Sequence, residues 1–544
     1  MGDSSFSCPN RNVPNPKGVR VSSQREVGDA YYTYLQSIMM EPYIVGWHYC
    51  GFIEGSPDLT RFHRFFSIQN GLLQPDGTPY KEAIDRVTEA NLKANSWHEE
   101  AKPIARGGEK LTISPKVNLT LAGSVVDVFA QETSEKKRCV TSARDNCVLS
   151  KIDDNVYNAG GFKGLGSVPK KNISWVVTEE GVVIIDPGVP RTASAAKEII
   201  RETTDKPIKY IIYTHHHGTQ VMGASLMKEP ETKIIAHEDS VAEFDLSNKF
   251  YQYNARLDSI QFNLKMRDNI KPKKFIYPDI TYQTQYKFEL GKTKFELYHA
   301  VGESSDYTIV FLPDQRIVWV ADLIVGGMPL VASPMKRVRD EVKWRKALEL
   351  IKGLRPEVMI QSISPPLCNQ VQIASKLDVF IDFFNFLHDS VAREMNAGSS
   401  LEETLNNIQL PLSLKTTGLL QERYGSMQFN VRGLHHRYSG WFDQNGTHLN
   451  SAPAKVTAKS FIDAMGGAPV VLEKARILAK EGNLKLALEY LDLLIDAGTQ
   501  LKEAHQLKGE ILEKMSNQYN HRMTINIYRS LSQMEFDKVK QLSE

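Results

Sequence analysis

The sequence predicts an α/β protein in which two β-sheets pack between layers of helices, an αββα sandwich, followed by an all-helical part. Two observations support this prediction. Strand-like apolar runs alternate with helical patterns from Ile173 to Ala321, and several of these runs come in pairs joined by short turns. From Ala464 to Phe536, amphipathic helical patterns follow one another, and such arrays usually serve packing or interaction rather than chemistry.

Length and composition indicate a multidomain globular protein. The chain has 544 residues, more than one core usually holds, and 41% of them are hydrophobic. The formal net charge of +2 gives no sign of a nucleic-acid partner, and no apolar run is long enough to span a membrane. The first residues lack the features of a signal peptide, so we expect a cytoplasmic protein. The five scattered cysteines, an odd number without a CxxC pair, are expected to be free thiols.

Residues 1–95 look separate from the rest of the chain. The strand-like run Tyr43–Cys50 follows one helical pattern, and a second helical pattern covers Tyr80–Leu92. This order resembles the last strand and helix of an agarase-type TIM-barrel glycoside hydrolase. Because eight strands are needed to close such a barrel, the segment is expected to carry no sugar chemistry. We interpret residues 1–95 as an appended partial TIM-barrel-like segment and residues 96–116 as a polar linker.

The main domain begins with a predicted hairpin. Strand patterns at Ile173–Val177 and Val182–Ile185 flank a turn that ends in Gly181, and Asp186-Pro-Gly188 ends the second strand. The later patterns, in chain order, are a helix at Thr192–Arg201, a strand at Tyr210–Tyr213, a helix at Gly223–Lys228, a strand at Lys233–His237, a polar and aromatic insertion at Asp245–Tyr286, and strands at Thr293–His299, Tyr307–Leu312 and Arg316–Ala321.

Three consecutive histidines follow the predicted strand Tyr210–Tyr213. His215 and His217 are two residues apart, so at an extended strand end they point the same way, whereas His216 faces away. Two imidazoles held in this way are a good start on a transition-metal site. The alternative is a surface loop that happens to be rich in histidine.

Several motifs together resemble a known family. The Thr-His-x-His motif at Thr214, the IIDPG strand before it and the Ala-Asp pair that closes the later hairpin resemble the metallo-β-lactamase fold. The long stretch Tyr424–Asn445 is similar to a signature of the alkyl sulfatases. Shorter matches lie at Val338–Trp344, Leu387–Asp389 and Asn396–Gly398. The helical part from Ala464 to Phe536 resembles the dimerisation domain of that family.

The resemblance implies a domain order. A metallo-β-lactamase-like catalytic domain is expected at residues 117–370, a helical extension with the family signature at residues 371–450, and an α-helical dimerisation domain at residues 451–544. A homodimer is therefore expected.

The resemblance also implies a set of metal ligands. His215, His217 and Glu303 correspond to the first metal position of the family, and Asp322 corresponds to the carboxylate that bridges the metals. Asp306 competes with Glu303 for the third position. Such a set suits Zn²⁺, with iron possible, and leaves a position open for water. Asp322 is then the expected catalytic residue, because its carboxylate would orient or deprotonate that water.

The second metal position and the sulfate clamp of the family have no match here. Thr219 and Gln220 stand where an aspartate and a histidine are expected, and Ser362–Pro366 contains no histidine. The arginine expected to clamp sulfate aligns with Pro334. The basic residues near enough to replace it are Lys336, Arg337 and Arg339. The sequence therefore predicts at most one metal per chain.

These features predict a divergent metal-dependent hydrolase whose substrate is a small ester, such as an alkyl sulfate. Two alternatives stay open. The chain could be a non-catalytic homologue that serves binding or assembly, or a metal-dependent lyase or transferase with altered chemistry.

Overall fold

The computed structural model describes residues 138–544 except 145–146, 164–170 and 267–268, together with scattered positions in residues 1–137. The chain divides into two compact units, Met1–Glu132 and Thr133–Glu544. The described positions of the first unit include the short strands β1 (Phe6–Ser7), β2 (Val19–Arg20), β3 (Thr120–Leu121) and β4 (Ser124–Val125). The segment predicted to resemble part of a TIM barrel, residues 1–95, and the linker at 96–116 fall largely outside the described residues, and the domain boundaries stay predictions.

The first large sheet has eight strands in the order β12-β11-β10-β9-β8-β7-β6-β5. Neighbours from β5 to β9 are antiparallel, and neighbours from β9 to β12 are parallel. The strands are β5 (Val140–Ala143), β6 (Val148–Asp153), β7 (Val156–Gly160), β8 (Ile173–Val177), β9 (Val182–Ile185), β10 (Ile208–Ile212), β11 (Lys233–His237) and β12 (Ile280–Tyr282).

The second large sheet has five strands in the order β13-β14-β15-β16-β17. Its first four strands form an antiparallel meander, and β17 joins β16 in parallel. The strands are β13 (Gln285–Leu290), β14 (Thr293–Ala300), β15 (Tyr307–Leu312), β16 (Ile317–Ala321) and β17 (Val358–Gln361). The described helices of the chain are α1 (Pro190–Thr203), α2 (Gly218–Val221), α3 (Ala224–Met227), α4 (Asp239–Lys249), α5 (Tyr251–Phe262), α6 (Glu341–Gly353), α7 (Gln370–Asn396), α8 (Leu401–Asn407), α9 (Leu412–Lys415), α10 (Met427–Ser439), α11 (Gly446–Leu449), α12 (Ala454–Ala464), α13 (Ala468–Lys480), α14 (Leu484–Ala497), α15 (Leu501–Ser516) and α16 (Arg522–Gln541).

Alternate residues of each strand face different layers. In β10, Ile211 packs with the residues of helix α1, whereas its neighbour Ile212 packs with strands of the second sheet. In β15, Ile309 packs with helix α6, whereas Val310 faces the first sheet. Because side chains alternate along a strand, one buried strand can serve both a helix layer and a sheet layer. The predicted αββα sandwich is confirmed.

The predicted insertion Asp245–Tyr286 is more ordered than its polar sequence indicates. It holds the end of α4, all of α5, strand β12 and the start of β13. Helix α5 packs along helix α16: Asn526 Nδ2 donates to the Gln261 carbonyl at 3.2 Å and Ser530 Oγ to the Ile260 carbonyl at 3.1 Å. The insertion therefore links the sandwich to the helical part, a tertiary role that leaves no periodic signal in the sequence.

The helical part, α12 to α16, has a core of its own. Ala475, Leu491 and Leu494 are fully buried between its helices. The amphipathic helices predicted between Ala464 and Phe536 are confirmed. Among the described helices, none is both long and apolar enough to cross a membrane.

Two of the five cysteines are not free thiols, so that expectation was wrong for them. Cys139, next to β5, forms a disulfide with Cys368, which follows β17, and their Cα atoms are 6.4 Å apart. The partners are 229 residues apart in sequence, so only the tertiary fold brings them together. Cys147 is free and buried. Cys8 and Cys50 lie outside the described residues.

We expect this disulfide to stabilise the folded protein. Replacing both partners (C139S/C368S) should lower the free energy of unfolding by about 2–4 kcal/mol, because the cross-link restricts the unfolded chain. Thermal unfolding should show that reductant lowers the Tm of the unsubstituted protein and leaves the Tm of C139S/C368S unchanged. A non-reduced digest in which mass spectrometry finds no peptide joining Cys139 to Cys368 would contradict the assignment.

Candidate metal centre

Four of the predicted site residues meet at the strand ends between the two sheets. His215 and His217 follow β10 of the first sheet, whereas Glu303 precedes β15 and Asp322 follows β16 of the second. Each side chain offers one ligand atom, and these atoms all lie within 4.8 Å of one another. We call these four residues the ligand cluster.

A chain of hydrogen bonds orients His215. The carboxylate of Asp186 accepts hydrogen bonds from the backbone N–H of Thr214 at 2.8 Å and from its hydroxyl at 2.7 Å. The Thr214 hydroxyl oxygen lies 3.0 Å from Nδ1 of His215. Burial raises the pKa of Asp186 to about 7; when its carboxylate is ionised it takes the hydroxyl proton, and the Nδ1–H of His215 donates to the hydroxyl oxygen. The Nε2 atom of His215 therefore carries a lone pair into the cluster, the tautomer that metal binding needs.

His217 completes an imidazole pair. Its Nδ1 atom lies 3.0 Å from Nε2 of His215, close to the spacing of about 3.3 Å between two nitrogens on one tetrahedral Zn²⁺. Burial lowers the pKa of His215 to about 3 and that of His217 well below its usual value. Both rings are therefore neutral, which is the form that binds a metal. The ring of Tyr307 stacks on His215 at 4.4 Å and fixes its plane.

The backbone that carries Asp322 adopts an uncommon conformation. Ala321 has φ of 44°, in the left-handed region, which costs about 1–3 kcal/mol for a residue other than glycine. On either side of that bend, the Asp322 N–H donates to the Tyr307 hydroxyl at 2.9 Å and the Ser362 N–H donates to the Ala321 carbonyl at 3.1 Å. These contacts hold the bend from which Asp322 enters the cluster.

The two oxygens of Asp322 have different surroundings. Oδ2 accepts a hydrogen bond from Lys171 Nζ and another from Gln220 Nε2 at 3.1 Å, and it lies 3.7 Å from Nε2 of His215. Burial alone would raise the pKa of Asp322, but the ammonium of Lys171 lowers it below its usual value. Oδ1 is buried and has no hydrogen-bond partner among the described residues. An unpartnered buried carboxylate oxygen is costly, and a divalent cation would satisfy it. The ligand cluster therefore fits a metal.

Glu303 enters the cluster beside a second cation. Its Oε1 atom accepts a hydrogen bond from Arg339 at 2.9 Å, and its backbone carbonyl accepts another from the same guanidinium at 2.9 Å. Burial raises the pKa of Glu303, and the charge of Arg339 opposes that rise. The residue before it is closely packed, because a Cβ on Gly302 would lie 2.2 Å from a methyl carbon of Leu323, which would have to shift.

Asp306, the competing candidate for the third position, has different partners. Its carboxylate accepts hydrogen bonds from Nδ1 of His216 at 2.9 Å, from Ser240 Oγ at 2.8 Å and from Ser304 Oγ at 2.7 Å. Burial would raise its pKa, but the bond from His216 lowers it well below its usual value. The structure thus places Asp306 with the middle histidine and Glu303 with the outer two.

Each basic residue considered as a sulfate clamp has a carboxylate partner. Lys336 pairs with Asp258, Arg337 with Glu243, and Arg339 with Glu303. Arg339 is the one that reaches the ligand cluster. No local sequence pattern marks these pairs, because their partners lie 36 to 94 residues away.

A second histidine pair, His237 and His299, lies near Asp239 and could also be considered for a metal. The two rings stack at 3.7 Å. Nε2 of His237 donates to the Gln283 carbonyl at 2.7 Å, and its Nδ1 accepts from the Asp239 N–H at 3.2 Å. Both nitrogens of His237 are therefore engaged, and this group is a poorer ligand set.

The roles of three residues at this site were not predicted from the sequence. Lys171 contacts Asp322 across 151 positions, and no local motif marks it. Tyr307 was recognised only as the start of a strand. Asp186 was recognised as the end of a strand, and its position in the IIDPG motif, directly before the histidine strand, was the available signal for its role in orienting His215.

Two family models match the chain. The metallo-beta-lactamase superfamily matches residues 168–362, and alkyl sulfatase dimerisation matches residues 400–537. An alkyl/aryl-sulfatase of Saccharomyces cerevisiae is 26% identical over 404 residues, which are 68% of this chain and 61% of that protein. A linear primary-alkylsulfatase of Pseudomonas sp. is 26% identical over 363 residues, which are 62% of this chain and 68% of that protein.

A solved structure shows the same fold. The stereoselective inverting sec-alkylsulfatase of Pseudomonas sp. superposes with a TM-score of 0.61 at 22% identity, covering 71% of this chain and 65% of that one. The chain thus spans about two thirds of the length of that structure and 61% of the yeast relative. The two family models match in the order in which the sandwich and the helical part occur, and over 62 to 68% of its length the chain is similar to alkyl sulfatases.

Proposed function

We propose that this protein is a divergent metal-dependent hydrolase that cleaves a sulfate ester, or a related small ester, at a site holding one metal ion. The observation that supports this proposal is the ligand cluster, in which two neutral imidazoles and two carboxylates face one point. Zn²⁺ suits this ligand set, and iron is the alternative. The names of the curated relatives support alkyl sulfates as the substrate class.

The residues of the cluster have separate tasks in this proposal. His215, His217 and Glu303 hold the metal, and a bound metal supplies a Lewis acid that activates water for attack on an ester. One oxygen of Asp322 is fixed by Lys171, and the other has no partner within the described part of the chain, so it can orient the attacking water and accept its proton. Asp186 acts through Thr214 and keeps Nε2 of His215 available, so it is a positioning residue.

One observation favours a second candidate, a non-catalytic homologue that serves binding or assembly. Each carboxylate of the cluster already pairs with a cation, Asp322 with Lys171 and Glu303 with Arg339. Because both histidines are neutral, the cluster is balanced in charge without a metal. Metal content therefore separates the two candidates.

We expect the purified protein to contain about one zinc or iron per chain and to hydrolyse dodecyl sulfate or a shorter alkyl sulfate. Removing the metal with a chelator should abolish the rate, and returning Zn²⁺ should restore it, because the water is activated by the metal. The measurements are elemental analysis and initial rates on the same samples. A protein that holds metal and hydrolyses no sulfate, phosphate or carboxylate ester would contradict the hydrolase proposal, and one that binds no metal would favour the non-catalytic candidate.

A matched pair of variants tests the third ligand. Glu303→Gln keeps the shape and the bond from Arg339 but removes the negative charge, so we expect it to lose most of the metal and of the activity. Asp306→Asn changes the competing carboxylate in the same way, and it should keep the metal because Asp306 pairs with His216. The measurement is zinc affinity by calorimetry on both variants. Retained metal in Glu303→Gln with loss in Asp306→Asn would reverse the assignment.

We also propose that the helical part makes the protein a homodimer. The matched dimerisation model supports this, as does a set of apolar side chains left exposed on α12 and α13. Phe461, Val470 and Ile477 are 54%, 53% and 41% exposed. Phe461 also lines an apolar groove with Met465, Tyr490 and Leu493. Exposed apolar area of this kind is typical of an interface.

The dimer can be tested by placing charges on that surface. The variant F461E/V470E should sediment as a monomer at micromolar concentration, because it would bury two carboxylates in an apolar contact. Val371 is more exposed, at 77%, but lies on α7 outside the helical part, so V371E should leave the dimer intact. An unsubstituted protein that sediments as a monomer would contradict the proposal.

A further inference from the structure

We propose that the ammonium group of Lys171 acts as a built-in cation beside Asp322, in the place that a second metal ion would take. The site then binds one divalent metal, and its second positive centre belongs to the chain itself. This inference rests on the proposed function, because it concerns the cations of the same site.

Lys171 is placed to act in this way. It is 8% exposed, and its Nζ atom donates a hydrogen bond to Oδ2 of Asp322. Among the described residues, Asp322 is the one acceptor found for it. A buried ammonium is stable only when it is paired with an opposite charge. The pair therefore fixes one positive charge on one side of the Asp322 carboxylate.

The backbone next to Lys171 is anchored to the second sheet. The N–H of Asn172 donates to the Ser362 carbonyl at 2.5 Å, and its side-chain amide donates to the carbonyls of Gln361 at 2.7 Å and Ser364 at 2.9 Å. A Cβ on Gly160 would lie 2.2 Å from the Asn172 side-chain oxygen, so the anchor is also closely packed. Lys171 is thus held against the end of β17 by short bonds on the adjacent residue.

The surroundings of Oδ2 offer hydrogen-bond donors and few acceptors. Gln220 turns its amide nitrogen towards this region, 3.1 Å from Asp322 Oδ2 and 3.3 Å from Ser362 Oγ. Its carbonyl oxygen is used by Thr219, whose hydroxyl donates to it at 2.6 Å. A metal ion needs lone pairs, whereas this side of Asp322 presents an ammonium and an amide N–H. The arrangement suits a resident cation and disfavours an added metal ion.

The charges of the cluster point the same way. Two cations, Lys171 and Arg339, pair with the two carboxylates, Asp322 and Glu303, and an imidazole that binds a metal is neutral. One divalent metal raises the net charge to two positive charges, which suits an anionic ester. A second divalent metal would raise it to four in a buried site, where repulsion between like charges is strong.

Zinc stoichiometry tests the role of Lys171. The variant T219D/Q220H adds a carboxylate and an imidazole beside Asp322, enough protein ligands for a second zinc. With Lys171 in place, we expect calorimetry and elemental analysis to find about one zinc per chain, as in the unsubstituted protein. Adding K171M to the same variant should raise the content to about two. Adding K171R, which keeps the charge, or K376M, which removes another largely buried lysine near β17, should leave it at one.

Two results would overturn the inference: a second zinc in T219D/Q220H while Lys171 is present, or one zinc in a folded K171M/T219D/Q220H. If that variant does not fold, K171M alone decides the question. Its affinity for the first zinc should rise on the order of 10-fold, because a like charge beside the metal is removed, and an unchanged or weaker affinity would contradict the proposal. If the unsubstituted protein binds no zinc, the proposed function is wrong instead. The difference in zinc content between T219D/Q220H and K171M/T219D/Q220H would still test the role of Lys171.

Discussion

The buried carboxylate of Asp322 is the constraint on which the arrangement of the site depends. At 2% exposure it has lost the water that would solvate its charge, a cost of several kcal/mol unless the protein compensates. Compensation comes from Lys171, which precedes β8 of the first sheet, although Asp322 itself follows a strand of the second. The ion pair therefore joins the two sheets at the point where the ligand cluster lies, and the position of each sheet depends on the other.

The backbone contributes to the site through two bends at strand ends. Asp186 ends β9 with φ of 54°, and Ala321 ends β16 with φ of 44°, so each sheet has one residue in the left-handed region directly at the site. Such conformations cost about 1–3 kcal/mol each and persist only where the surroundings hold them. Here the surroundings are the bonds from Thr214 to Asp186 and from Ser362 to Ala321. The two bends lower the stability of the folded protein, and in return they hold the side chains at both strand ends in defined positions.

The fold was predictable because secondary structure leaves a local pattern in neighbouring residues. Strands buried on both faces, such as Val182–Ile185 and Tyr307–Leu312, appear in the sequence as short and mostly apolar runs. His215 and His217 were predictable for the same reason, since they lie two positions apart at a strand end. Lys171 and the Cys139–Cys368 disulfide were not predictable, because their partners are 151 and 229 residues away and no local pattern reports such contacts. The choice between Glu303 and Asp306 also needed tertiary structure, since both occur in one short loop and differ in what faces them.

The division of the ligand cluster between the sheets has a thermodynamic consequence. His215 and His217 come from the first sheet, whereas Glu303 comes from the second, so a metal held by these three residues would act as a clamp between the halves of the sandwich. A ligand that binds only the docked arrangement stabilises it by mass action, by about 2.7 kcal/mol when the free metal is 100 times its dissociation constant. Metal supply would then set how firmly the two sheets stay together, and the apo protein would separate its halves at a lower temperature than the loaded one.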